Sequence, residues 1–233
     1  MIQIIIKKFI KQNLILFLLL PFFYSCSGSL ETELTALEIL DSASDKLSTW
    51  KSFRFGLEHE EGTTTLSEGL YQLKSVRGEV VLPRRVKLET NVITFGQLVK
   101  LDIVLIDGSS FWTNPINHKW SEIPEGQSPF GSFDVSEVIL DILGSMQNPE
   151  KINNVSGNIQ EISGRVEAKV FEPLVGISDP SKIADVVLSI DLETMNVISA
   201  RIEGQVNPLD EEGVIRIIDI WDVDAEFSVD PPL

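Results

Sequence analysis

The stretch Val86–Gly108, VKLETNVITFGQLVKLDIVLIDG, decides the fold class. Val86, Leu88, Thr90 and Val92 alternate with Lys87, Glu89 and Asn91, and Leu101, Ile103 and Leu105 alternate with Lys100, Asp102 and Val104. A period of two places each set on one face of an extended strand. Asp107-Gly108 follows, the strongest short hairpin signal in the chain. Strands that follow one another through hairpin-length turns, each with one apolar face, build an antiparallel sheet covered on that face only.

The pattern extends outward in both directions. Phe53, Phe55 and Leu57 alternate with Arg54, Gly56 and Glu58, Leu66–Val76 reads as extended, and Gly78 and Pro83 punctuate the next strand. Residues 111–113 and 119–122 read as two strands joined by 114–118, with Trp112 expected to face Trp120 across the hairpin. Later strands are expected over Arg165–Phe171, Asp185–Asp191, Val197–Val206 and Gly213–Asp222, with Leu188, Ile190, Ile198 and Ile202 on their apolar face. Two segments have helical spacing instead. Leu34, Leu37, Ile39, Leu40, Ala43, Leu47 and Trp50 form one amphipathic stripe, and Val138, Ile139, Ile142, Leu143 and Met146 form another. The second begins at Asp134 with Glu137 three residues on and stops at Asn148-Pro149. The reading is α+β: one antiparallel sheet with helices over one face, in a single domain spanning 34–233.

The amino terminus has a different character. Lys7, Lys8 and Lys11 precede the apolar run Leu14–Tyr24, too short to cross a bilayer, and Ser25, Cys26, Ser27 and Gly28 follow. A basic segment, a short apolar core and small residues at the cut make a secretory signal over 1–25. The chain's single cysteine, Cys26, stands where bacterial lipoprotein signals place the residue that is acylated, with palmitate-type chains, and becomes the mature N-terminus. Residues 26–33 are then a short tether. The expected location is the extracytoplasmic side of the cell envelope.

The chain of 233 residues has 19 Lys+Arg against 35 Asp+Glu, a net charge of −16. Removing residues 1–25 takes three of the bases and no acid, leaving 16 against 35 and a net −19. Such a body does not bind nucleic acid, which requires clustered bases, and an anionic membrane surface repels it. Acyl chains must therefore hold it at a membrane.

Candidate chemistry is sparse. No nucleophile elbow, phosphate loop or zinc motif is present. His59 sits in Glu58-His59-Glu60-Glu61 and reads as a strand end running into a solvated acidic turn, and His118 as an exposed turn residue. Asp222-Val223-Asp224-Ala225-Glu226 puts three carboxylates at spacing two on one strand face, yet lacks the glycine turn of a calcium loop. The expectation is no enzyme, no metal and no cofactor. The aromatic residues, Phe53, Phe55, Phe95, Phe111, Trp112, Trp120, Phe130, Phe133 and Phe171, either fill a core or line a cavity, and periodicity does not separate the two.

Leu47–Glu58 (LSTWKSFRFGLE), Val76–Lys87 (VRGEVVLPRRVK), Ile106–Trp120 (IDGSSFWTNPINHKW), Ser189–Gly204 (SIDLETMNVISARIEG) and Val214–Pro232 resemble the LppX/LprA/LprF/LprG envelope lipoproteins. The resemblance runs from about Leu34 to Pro232. It departs in the residue three before Cys26, Phe23 in place of leucine, and in Leu174–Ala184, which reads as a variable loop. It implies a LolA/LolB-related open half-barrel, a curved antiparallel sheet with helices covering its concave face and a hollow that accepts the acyl chains of a lipid or lipoglycan. It also implies a lipid carrier, with an envelope transporter as partner. The residues expected to line the hollow are Phe53, Phe55, Leu57, Val86, Leu88, Leu101, Ile103, Leu105, Leu188, Ile190, Ile198 and Ile202 on the sheet, and Val138, Ile139, Ile142 and Leu143 on the second helix.

Carrier physics favours such a hollow. Each buried CH₂ is worth about 0.8 kcal/mol, so two 16-carbon tails cost on the order of 25 kcal/mol to expose to water. A greasy cavity turns that cost into an exchange near balance. The rival readings are an envelope sensor or interaction module with a filled interior, and an envelope hydrolase, which would need a buried acid pair or a Ser–His contact.

Overall fold

The computed structural model describes residues 33–106, 108–123, 128, 130, 133–155 and 157–232. The expected signal, Cys26 and the tether up to residue 32 lie outside them. Twelve strands of the described residues form one open sheet in the order β7-β6-β5-β4-β3-β1-β12-β11-β10-β9-β8, with β2 beside β3. The strands are β1 (Ser52–Glu61), β2 (Thr64–Leu66), β3 (Tyr71–Val81), β4 (Arg85–Thr94), β5 (Gln97–Ile106), β6 (Ser109–Thr113) and β7 (Trp120–Ile123), then β8 (Gln147–Val155), β9 (Ile159–Glu167), β10 (Ile183–Asp191), β11 (Val197–Glu203) and β12 (Ile215–Trp221). Every pairing is antiparallel, as the hairpin-length turns imply. The first strand pairs with the last, Phe55 opposite Ile220, which brings the two halves of the chain together at the centre.

Helices α1 (Ala36–Leu47), α2 (Val135–Ser145) and the short α3 (Glu172–Val175) pack on one face of the curved sheet. Their apolar stripes and the inner faces of the strands share one core, the α+β arrangement read from the sequence. α1 starts at a complete capping box: Glu38 N–H donates to Thr35 Oγ1 at 3.3 Å, and Thr35 N–H donates to Glu38 Oε2 at 2.8 Å. At α2 the Asp134 side chain accepts from Glu137 N–H at 3.0 Å, and the Asp134 N–H donates to the Pro173 carbonyl at 3.0 Å, tying α2 to α3.

Several local expectations are corrected. The helix expected to stop at Asn148-Pro149 ends at Ser145, and Gln147–Val155, for which no strand was expected, is the edge strand β8, where Pro149 is tolerated. The strand expected over Arg165–Phe171 lies at Ile159–Glu167, and 168–171 forms a 3₁₀ turn. Trp112 and Trp120 do not face each other: Trp120 pairs with Thr113 and Trp112 with Ser121, so the two indoles lie on opposite faces. A register shift between Ser189 and Ile190 sets Ile190 opposite Val197. Val197 therefore takes the inner position given to Ile198, which is half-buried outside the core.

The sheet's outer face is also partly covered. Beyond β12 the chain turns at Asp222 and Asp224, both with left-handed φ, so the three carboxylates of 222–226 do not share a strand face. Asp222 instead binds Arg54 Nη1 at 2.7 Å, and Asp224 Oδ1 accepts from Lys51 N–H at 2.8 Å. The tail crosses outward over β1, placing Phe227 under the Arg54 guanidinium at 4.9 Å. Val229 then sits in a second small core with Val104 and Ile106, bordered by Val81, Phe111 and Trp120.

Candidate functional site

A row of aromatic rings runs beneath the helices. Trp50 and Phe53 lie 5.3 Å apart between centroids, Phe53 and Phe55 6.2 Å, Phe55 and Phe133 5.9 Å, and Phe133 and Phe130 6.3 Å. The Phe55 ring lies over Gly78, its cross-strand partner, where a Cβ would meet the ring at 2.1 Å. Glycine at 78 is thus what lets the ring lie flat along the sheet.

Beside Phe55 and Phe133, in the middle of this row, lies a gap between the two layers. A cleft of about 350 Å³ opens between the start of α2 and the β3–β4 and β5–β6 turns. Phe55, Val80, Val86, Leu105 and Phe133 make its apolar floor with Leu82, Ile106 and Val135, and the exposed Pro83 also lines it. Arg84, Gly108, Ser109, Ser110, Asp134, Ser136 and Glu137 line it as well, so polar and apolar groups share the cleft. Greasy depth under a polar rim suits an amphiphile.

The expected lining residues distribute unevenly around this geometry. Phe55, Val86 and Leu105 line the cleft. Phe53, Leu57, Leu88, Leu101, Ile103, Val138, Ile139, Ile142, Leu143, Leu188, Ile190 and Ile202 are buried in the common core between sheet and helices. Phe133 is among the aromatics read as core or cavity lining, while the other cleft residues from the β3–β4 turn, the β5–β6 hairpin and the approach to α2 are not read as lining. Turns carry no period, and only the fold brings these three together.

His59 occupies a different place from the solvated turn expected of it. Its Nδ1–H donates to the Lys74 carbonyl at 2.9 Å, and Thr64 Oγ1 donates to Nε2 at 2.8 Å. Thr64 Oγ1 in turn accepts from Arg216 Nε at 2.7 Å, and Arg216 forms an ion pair with Asp210. Burial pushes the His59 pKa down to about 4, and the nearby Arg216 charge adds to it. The ring is a neutral link in a structural relay and contacts neither a carboxylate nor a serine. One signal for this relay stood in the sequence: Arg216 shares the inner parity of Ile218 and Ile220, and a charge at such a position requires a partner.

No protein-family model matches the sequence, and no curated protein matches it. Solved structures do. LprF from Mycobacterium bovis matches with 15% identity over 84% of this chain and 96% of its own, at a TM-score of 0.61. The lipoprotein LppX from Mycobacterium tuberculosis matches with 13% identity over 84% of this chain and 98% of its own, at a TM-score of 0.57. Both names are among those the sequence segments resemble, and the fold of LprF and LppX is the fold of this chain.

Proposed function

We propose that this chain is an exported, non-enzymatic envelope lipoprotein, freed of residues 1–25, acylated at Cys26, and built to hold an acyl chain of an envelope lipid or lipoglycan at the cleft beside Phe55 and Phe133. Carriage or presentation of that lipid, with an envelope transporter as partner, belongs to the same reading. The observation that supports it is the cleft, which opens at the seam between sheet and helices with an apolar floor and a polar rim. Its volume of about 350 Å³ lies at the small end of ligand pockets, which span roughly 300–1,000 Å³. Each methylene it takes from water contributes about 0.8 kcal/mol.

The close packing of the inner face favours a second reading, a sensor or interaction module of the same fold that holds no lipid. One experiment separates them. Native mass spectrometry of the full chain extracted from membranes should give one non-covalent amphiphile per chain, distinct from the covalent acyl mass that survives denaturation. Val86→Trp fills the cleft and should remove that adduct. Wild-type protein repeatedly free of any non-covalent adduct would overturn the lipid reading and leave the module.

A further inference from the structure

The β4–β5 turn is Phe95-Gly96, enclosed by the paired residues Thr94 and Gln97, with φ of 49° and 74°. A two-residue hairpin with positive φ at both centres prefers Asn, Asp or Gly at the first. A bulky side chain in that region is strained. Phe95 nevertheless occupies it, and the residue is 94% exposed.

Two more large apolar residues lie at the same end. Leu98 pairs with Ile93 one step from the turn and is 66% exposed. Leu70, 59% exposed, directly precedes β3, whose Gln72 also pairs with Ile93. Isolated exposed leucines need no explanation. A phenylalanine held in a strained apex beside two of them does.

The charge here also differs from the rest of the protein. Residues 64–76 and 90–101, which build this end, contain one acid, Glu68, and two bases, Lys74 and Lys100, in a chain of net −16. Most acids at the same end of the sheet, among them Glu60, Glu61, Asp210, Glu211, Glu212 and Glu203, belong to β1, the loop before β12 and the strands beyond it, on the other side of β3. A protruding apolar tip with almost no net charge is what an acidic protein can present to a lipid surface.

We propose that the β4–β5 tip, with Leu70 beside it, enters the interfacial layer of a bilayer and orients the domain on it. A bilayer needs no shape-matched groove for a convex tip, and an aromatic ring is favoured at headgroup depth. The cleft lies at the opposite end of the same strands, beside Val80, Val86 and Leu105. β5 alone, 10 residues long, spans about 33 Å. With the tip in the membrane, the cleft stands at the end of the sheet away from it. The tip contact is independent of whether the cleft holds lipid.

The test uses the full chain with Cys26→Ser and a single environment-sensitive fluorophore on Gln97→Cys, mixed with phosphatidylcholine–phosphatidylglycerol vesicles. The expected result is a several-fold emission rise with a blue shift. The same label on Thr194→Cys, at the far end of the sheet, should stay unchanged. Phe95→Asp with Leu98→Asp should abolish the tip signal even though the apolar amino terminus still brings the protein to the vesicles. Phe95→Asn gives the turn its favoured residue, so the thermal midpoint should hold or rise while the signal is lost. A silent Gln97 label, or a signal indifferent to these substitutions, overturns the proposal. A signal that grows with protein concentration in the absence of vesicles assigns the tip to a second copy and overturns it equally.

Discussion

Asp210 and Arg216 form an ion pair that solvent does not reach, each side chain being 0% exposed. Asp210 also accepts from the Thr65 and Asn207 N–H groups, and Arg216 donates to the Gly204 carbonyl and Thr64 Oγ1. The pair thus fastens the 205–213 loop to β2 and β12. Removing one partner strands a buried charge, so Asp210→Ala should cost about 3–5 kcal/mol in urea unfolding. Asp210→Leu with Arg216→Met removes both charges together and should cost far less.

The same relay makes stability depend on acidity. The unfolded His59 imidazole takes a proton near pH 6.5 and the folded one only near 4. Between these values the unfolded chain binds more protons, so this residue's contribution is complete above about pH 6.5 and is lost as pH falls towards 4. A shift of this size is worth at most about 3 kcal/mol, and partial exposure of the ring reduces it. Lys74, Arg216 and Asp210 are the charged groups acting on the ring. Thermal midpoints of His59→Phe measured between pH 4 and 6.5 should show a flatter slope than wild type.

Gly78→Ala tests the aromatic row. The new methyl group would collide with the Phe55 ring and push it towards Phe133. Overpacking of this kind costs about 1–3 kcal/mol. The cleft floor should deform with it, so a lower denaturation midpoint should be accompanied by a weaker non-covalent adduct.

The carboxyl-terminal strap is tested by Val229→Asp, which puts a charge between Val104 and Ile106. A loss of about 2 kcal/mol is expected from the lost apolar burial and the unpaired charge. Trp120 borders this small core, so its emission should shift to the red at the same time.

How far the residues disclosed this molecule depends on periodicity. Strands with one wet face announced themselves: Val86–Val92 and Leu101–Leu105 alternate as read, and β5 and β6, on either side of the expected turn whose first residue lies outside the described ones, are paired. β8 was hidden because QNPEKINNV is a polar edge strand with a proline and two register shifts, which leaves no apolar phase to detect. Ile198 was misplaced by one residue because a bulge flips parity and leaves no mark in composition. The sixteen expected lining residues are mostly core because alternation identifies a face without telling whether a side chain or a guest covers it. The cleft depends on two turns and the start of α2 converging, a long-range property. Arg216 was legible in principle, as a charge in an apolar phase.

The pairing of β1 with β12 also bears on the order in which the sheet is completed. Phe55 waits for Ile220, some 165 positions later, before the middle of the sheet exists. Until synthesis has passed Trp221 the opening strand has no neighbour on that side, and contacts this distant in sequence form slowly. A polypeptide whose keystone arrives last closes the middle of its sheet only once almost the whole chain has been made.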